Sequence, residues 1–220
     1  MNKAVSKSKA KKKQASQSAT PQERARQKLL SAARHLFAIK GLSGTSIRDI
    51  ATKARLNSSM ISYYFNGKEG LYKECLKEIG RAQLDMAEQL LKPVHSKEEL
   101  KVRLQLFIDK IFALFLEDLD AGLIIVREYD RIHSPAKEIF NQTLLQVFDK
   151  LCQFFRDAQK KSVISKNKDS FVLTNIFFGA LINMMRTDHV KESNYGPSRS
   201  IKSARYRGKV REHLIELILA

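Results

Sequence analysis

Tryptophan is absent from this 220-residue chain, cysteine occurs twice, proline four times and glycine nine times. So little glycine and proline argues against an all-β, collagen-like or linker-dominated chain. The two cysteines, Cys75 and Cys152, form neither a CxxC pair nor a disulfide framework, and they are expected to be buried thiols in a reducing compartment. Long hydrophobic runs are also missing. The longest charge-free stretch, Ser170–Met185, has 16 residues and contains Thr174, Asn175 and Asn183. A spanning helix needs about 20 apolar residues. The basic N-terminus lacks the apolar segment of a secretory signal. A soluble, cytoplasmic protein is therefore expected. The five histidines (His35, His95, His133, His189, His213) are scattered, with no HExxH and no paired metal spacing. No serine elbow, P-loop or GxGxxG is present, so neither an enzyme, a metal site nor a cofactor is expected.

What the chain does have is positive charge and an adequate core. Apolar residues make up 43% and charged residues 29%, while 40 Lys+Arg against 23 Asp+Glu leave a net charge of +17. A polyanionic partner is implied, most often nucleic acid. The charge is unevenly placed. Residues 1–20 hold six lysines and no acid, residues 21–80 eleven basic and five acidic residues, and residues 81–190 sixteen and fifteen. A second basic run, residues 191–211, has seven basic residues and one acidic one, and it reads as a solvated loop and helix start. An anionic membrane surface would also attract such a chain. It requires a basic amphipathic helix with exposed Leu or Phe, which residues 1–19 do not offer.

Residues 1–19 are Lys, Ser, Ala and Gln with little to bury, and read as a disordered basic arm. Structure is predicted to start at Thr20-Pro21-Gln22-Glu23, a capping box with proline at the first helical position. Ser96-x-x-Glu99 reads as another box. No strand alternation and no internal repeat is visible, whereas apolar residues recur at helical spacing: Leu29, Ala33, Leu36 and Phe37; Leu100, Leu104, Phe107, Ile111 and Phe115; Leu144, Phe148, Leu151 and Phe155; Val210, Leu214, Leu217 and Ile218. Nine helices are predicted, over about 21–40, 45–53, 58–64, 68–92, 97–120, 121–132, 135–161, 168–190 and 203–218.

The informative segment is residues 41–72, GLSGTSIRDIATKARLNSSMISYYFNGKEGLY. Gly41 and Gly44 separate the first helix from the second, and Ser46-x-x-Asp49 can box the second helix. Ile47, Ile50, Ala51 and Ala54 give it a small apolar face that another helix can approach closely. Arg55-Leu56-Asn57 makes a short turn, with Asn57 capping a third helix, and Asn66-x-x-Glu69 reads as the cap of a fourth. Two short helices joined by a tight turn form a helix-turn-helix. The third helix leads with small or flexible side chains, Ser58, Ser59 and Met60, and turns Ile61 and Phe65 inward. A major groove admits a helix whose leading side chains are short or reach base edges. Ser62, Tyr63 and Tyr64 offer hydroxyls for phosphate, Lys68 sits at a helix N-terminus that favours phosphate, and Arg48 projects from the second helix.

Residues 24–73 resemble the DNA-binding domain of TetR/AcrR-family transcriptional regulators. The resemblance is carried by Leu29-Leu30-x-Ala32-Ala33-x-x-Leu36-Phe37, Gly41, Thr45-Ser46-x-x-Asp49-Ile50-Ala51, Ala54, Ile61-Ser62-Tyr63-Tyr64-Phe65 and Gly67-Lys68-Glu69-Gly70-Leu71. It implies an all-α homodimer: a three-helix helix-turn-helix domain, residues 20–67, followed by a helical ligand-binding and dimerisation domain, residues 68–220. By motif position, Arg48, Ser58, Ser59 and Met60 face the groove, and Thr45, Ser62, Tyr63, Tyr64 and Lys68 hold phosphates. Arg55 stands where the family usually has glycine. If that position needs φ > 0, arginine costs about 1 kcal/mol. Either the turn is slightly re-formed or Arg55 serves as a phosphate contact.

In the second domain, Phe171–Met185 is apolar on more than one face, which suits a helix buried between its own core and a partner subunit. Phe171, Phe178, Ile182, Leu214, Leu217 and Ile218 are the expected dimer contacts. The resemblance also implies a ligand pocket, with Phe107, Ile111, Phe115, Arg127, Phe148, Asn175 and Phe178 as its candidate residues; Arg127 alternatively belongs to a set of surface ion pairs with Glu128, Asp130 and Arg131. The expected function is that of a sequence-specific DNA-binding regulator, a repressor released from a roughly palindromic operator by a small-molecule effector. The alternative is a ligand-independent architectural DNA-binding protein, which would lack a pocket and bind without regard to sequence or small molecules.

Overall fold

The computed structural model describes residues 20–131 and 133–220, so the arm expected over residues 1–19 lies outside the described part. Among the described residues there are eleven α-helices, one 3-10 turn and no strand. In chain order the helices are α1 (Pro21–Lys40), α2 (Ile47–Ala54), α3 (Ser59–Phe65), α4 (Lys68–Leu90), α5 (Lys97–Glu117), α6 (Leu119–Tyr129), α7 (Lys137–Gln142), α8 (Leu144–Lys160), α9 (Ser170–Arg186), α10 (Asp188–Tyr195) and α11 (Ala204–Leu219). The chain divides into two compact units between Cys75 and Leu76, inside α4.

In the first unit, caps fix the helix starts. Thr20 and Glu23 exchange hydrogen bonds, the Thr20 N–H donating to the Glu23 carboxylate at 2.9 Å and the Glu23 N–H to the Thr20 hydroxyl at 3.2 Å. Ser46 and Asp49 do the same for α2, at 3.3 and 3.0 Å. The core joins Leu29, Leu30, Ala33 and Phe37 of α1 to Ile50, Ala51 and Ala54 of α2, Ile61 and Phe65 of α3, and Leu71 and Tyr72 of α4. Burying a side chain such as Ile61 completely contributes about 1.5–3 kcal/mol. The rings of Phe37 and Tyr72 meet edge to face at 5.1 Å. Arg26 lies over the Phe65 ring and its guanidinium donates to Glu74 at 2.7 Å, so α1, α3 and α4 are tied at one point.

Two turn residues behave in ways that composition alone does not reveal. Arg55 is left-handed, at φ 56° and ψ 46°. Its N–H donates to the Thr52 carbonyl and that of Leu56 to the Ala51 carbonyl, the paired closure that normally employs glycine. The turn is therefore not re-formed around arginine. Asn66, expected to cap α4, instead ends α3: it is left-handed, at φ 56° and ψ 41°, and its N–H donates to Ser62 at 3.0 Å. Asparagine tolerates that region well. The first turn of α4 hangs from the Gly67 carbonyl, which accepts from the Leu71 N–H at 3.1 Å.

The second unit has more helices than periodicity predicts, because two expected helices are each broken. The 135–161 pattern splits at Thr143, whose φ of −130° and ψ of −77° leave the helical region. Its hydroxyl donates to the Ile139 carbonyl at 2.6 Å, and its side chain lies against Gly80, where a Cβ would collide with it. The 168–190 pattern splits at Thr187, whose hydroxyl donates back to Asn183 at 2.7 Å. Asp188 then starts α10 and accepts from the Ser200 hydroxyl at 2.9 Å and the Ile201 N–H at 2.7 Å. At α5, Ser96 caps as expected, but Glu99 accepts from the His95 N–H rather than from Ser96, so only half of a box forms. α9 packs on α8 and α6, and α11 packs chiefly on α5. Phe107, Phe112, Phe155 and Phe177 are wholly buried at the centre. No helix among the described residues is long and apolar enough to cross a membrane.

Candidate nucleic-acid interface and internal cavity

The third helix is built to present its leading end. Asn57, expected as its cap, accepts from both the N–H and the hydroxyl of Ser59 at 2.9 and 3.0 Å, so the first turn is held by a side chain lying just outside the helix. Ile61 and Phe65 anchor one face in the core, at 0% and 7% exposure. Ser58, Ser59 and Ser62 are exposed, Met60 and Tyr64 half-buried. Tyr63 is 79% exposed, its ring edge to face with Tyr64 at 5.0 Å. On α2 and just beyond it, Arg48, Thr52 and Arg55 follow one another at helical spacing and all three are exposed. A short helix with small polar side chains at its tip, flanked by hydroxyls and two guanidiniums, can enter a major groove and hold the phosphates beside it.

Two residues expected to hold phosphates are placed differently. Thr45 is 1% exposed and its hydroxyl donates to the Gly41 carbonyl at 2.7 Å. The Lys68 ammonium turns back to the carbonyls of Leu42 and Thr45, at 2.9 and 2.8 Å. Both side chains thus brace the loop between α1 and α2. A sequence shows that Lys68 starts a helix, but not that a loop well upstream presents carbonyls within its reach.

A cavity of about 30 Å³ lies within the second unit, walled by Ile111, Leu114, Phe115, Gly122, Ile125, Leu144, Val147, Phe178, Leu181, Ile182 and Met185, with Gln83 and Tyr129 as its polar residues. A more open pocket of about 290 Å³ adjoins it, sharing Tyr129, Phe178 and Ile182 and adding Asp130, Phe148, Asn175, Gly179, Asn183 and Arg186. Arg186 and Asp130 form an ion pair there at 3.4 Å. Of the expected pocket residues, Ile111, Phe115 and Phe178 line the inner cavity and Phe148 and Asn175 the outer one. Phe107 is instead fully buried core, and Arg127 is exposed and lines neither space. The Tyr129 hydroxyl is buried without a hydrogen-bond partner among the described residues, and burial pushes its ionisation well above the ordinary 10.0. Sequence reasoning misses Gln83; a polar residue in line with the buried Ala87 and Ile79 is the available signal.

Of the expected dimer contacts, Phe171 and Leu217 are exposed at 58% and 47%. Phe178, Leu214 and Ile218 are packed in the subunit's own core, the last two because α11 turns its apolar stripe onto α5. Ile182 is half-buried at the cavity. Val172 and Ile176 join Phe171 on the outer face of α9.

Residues 29–75 match the family described as bacterial regulatory proteins, tetR family. The chain is 37% identical over 82 residues to the probable HTH-type transcriptional regulator YttP of Bacillus subtilis, covering 37% of this chain and 40% of that protein. It is 39% identical over 70 residues to the HTH-type transcriptional repressor NicS of Pseudomonas putida, covering 32% of each. These alignments span less than half of either relative. Similarity of fold extends much further. The transcriptional regulator FadR from Bacillus subtilis, solved in complex with stearoyl-CoA, superposes with a TM-score of 0.68 at 19% identity, covering 88% of this chain and 97% of that one. HlyIIR, a hemolysin II transcriptional regulator, gives a TM-score of 0.66 at 20% identity, covering 90% and 99%.

Proposed function

Since its helix-turn-helix makes this chain a member of the tetR family of bacterial regulatory proteins, a class of transcriptional regulators rather than enzymes, we propose that it is a homodimeric, cytoplasmic repressor that leaves its operator when a small molecule occupies the second unit. The observation that carries the DNA-binding part is the exposed tip of α3, with Ser58 and Ser59 outward while Ile61 and Phe65 are anchored. In this reading Ser58, Ser59, Met60 and Arg48 meet base edges, and Ser62, Tyr63 and Tyr64 meet phosphates. Thr45 and Lys68 keep α2 in place behind them. None of these side chains makes the bidentate Asn–adenine pair, and only Arg48 can make the Arg–guanine pair. Two copies related by a twofold axis place their α3 helices in successive major grooves about 34–36 Å apart on a roughly palindromic site. The outer face of α9, with Phe171, Val172 and Ile176, and Leu217 of α11 supply the apolar surface for that dimer.

The effector has an apolar body and enters beside Tyr129. A cavity of about 30 Å³ holds one or two waters, whereas ligand sites occupy about 300–1,000 Å³. Binding must therefore join the inner and outer spaces by moving their walls, and that movement is what couples ligand to DNA. Gln83, in the inner wall, and Lys68, which braces the α1–α2 loop, belong to the same helix, so α4 is the natural transmitter. Differential affinity of about 1–3 kcal/mol, or 5–150-fold, suffices for release. The fold neighbour that carries stearoyl-CoA makes long-chain acyl compounds the first to try.

The test is direct. Duplexes are selected from a random pool by the protein, and binding to the winner is measured against salt and against a panel of apolar molecules beginning with stearoyl-CoA. Affinity is expected to fall as salt rises from 50 to 200 mM, by about 3.5-fold for each phosphate that a lysine or arginine neutralises, and one class of effector to weaken it further. A flat salt response contradicts neutralisation of phosphates by the basic first unit. Binding that no molecule weakens and no sequence improves favours the architectural alternative.

A further inference from the structure

We infer that Arg55 is a phosphate-binding residue of the helix-turn-helix, adopted in place of the glycine its backbone position favours. The inference rests on the DNA-binding reading above and adds a contact that the family motif does not supply. Three observations support it. The backbone at Arg55 is left-handed, at φ 56° and ψ 46°, and the Schellman closure of α2 around it is complete, so the strain is neither relaxed nor avoided. Only glycine, and less often asparagine or aspartate, enters that region at little cost. The side chain gains nothing inside the subunit in return: it is exposed, and its guanidinium makes no hydrogen bond or ion pair among the described residues. Finally, Arg55 is exposed, as are Arg48 and Thr52 of α2, and it stands in the turn just before Asn57, which organises the tip of α3. A residue that costs stability at home, carries a fixed positive charge and adjoins the reading helix is what a backbone contact to DNA requires. Left-handed non-glycine residues cluster at functional sites. Arginine is also the side chain that grips phosphate through two parallel N–H donors.

The inference separates charge from backbone. Arg55→Gly and Arg55→Asn relieve the strain and remove the charge, whereas Arg55→Lys keeps both. Binding of all four proteins to the parent's selected duplex is measured across a salt series, with thermal unfolding in parallel. The glycine and asparagine variants are expected to unfold at higher temperature yet bind several-fold more weakly at low salt, the salt slope falling by about 0.9 for each phosphate no longer neutralised. The lysine variant is expected to keep the parent's slope. If the two neutral variants bind with the parent's affinity and slope, Arg55 is merely tolerated and the inference is overturned while the DNA-binding reading stands. If the parent itself shows no salt-dependent duplex binding, that reading fails and the inference with it.

Discussion

At the scale of single residues, two cations near the third helix are placed in contrasting ways that their charge does not reveal. Lys68 is committed to the carbonyls of Leu42 and Thr45, while Arg55 is exposed. Replacing Lys68 by Met, which retains the apolar stem, removes two hydrogen bonds from a charged donor, and is expected to destabilise the first unit by about 2 kcal/mol in denaturant unfolding. Any loss of DNA affinity in that variant is expected to track the loss of stability, with the salt slope unchanged. Arg55→Gly has the opposite sign: removing a left-handed non-glycine residue is expected to stabilise by about 1 kcal/mol in the same measurement. Arg55 is legible in the sequence as a departure from the family pattern, because its neighbours fix the turn. The destination of Lys68 is not, since a flexible four-carbon stem reaches groups that only the folded loop brings near.

At the scale of elements, the helix starts depend on carboxylates. The Thr20 backbone N–H first, and its hydroxyl second, hold Glu23 below the ordinary 4.5; Ser46 does the same for Asp49 below the ordinary 3.8. A depressed carboxyl favours the folded state above its ordinary value, and the benefit disappears as pH falls through the lowered one. Thermal unfolding followed from about pH 6 to about pH 2 is expected to show this loss on the acid side, and Glu23→Gln with Asp49→Asn should flatten it. The junction of α3 and α4 sets a different demand. A Cβ on Gly70 would run into the Phe65 carbonyl. Gly70→Ala is therefore expected to destabilise the first unit by about 1–3 kcal/mol, read by unfolding, although alanine is the better helix former. Capping and periodicity make α1, α2 and α3 readable to within a residue or two. The break at Thr143 is hidden, because it interrupts an apolar pattern through backbone geometry and through contact with Gly80 far upstream in the sequence, whereas that at Thr187 falls just after the apolar run ends at Met185.

At the scale of the whole molecule, charge and apolar surface are divided between the units. The basic run at residues 191–211 is partly neutralised where it folds: Lys202 pairs with Glu192 at 2.6 Å, Arg211 with Asp109 at 2.7 Å, and Arg207 donates to backbone carbonyls. In the first unit Arg48 and Arg55 have no such partners among the described residues, and both are exposed in the helix-turn-helix. The second unit keeps the large aromatic core, its cavity and the apolar face of α9. The division into a basic helix-turn-helix unit and a less basic, apolar one is legible from charge distribution and motif. Which apolar residues face the cavity, the core or a partner is not, because a helix apolar on all sides carries no periodicity to assign its faces. Phe178 is expected at a partner for that reason and lies inward; Leu214 and Ile218, on the apolar stripe of α11, also lie inward, because that stripe packs on α5.

The central claim is that the tip of α3 reads base edges, and the most direct measurement is selection of duplexes from one random pool by the parent and by a protein carrying Ser58→Ala and Ser59→Ala. The account predicts that the altered protein still binds duplex with the parent's salt slope but enriches a different or looser set of sequences. Enrichment of the same sequences with the same affinity by both proteins would contradict it.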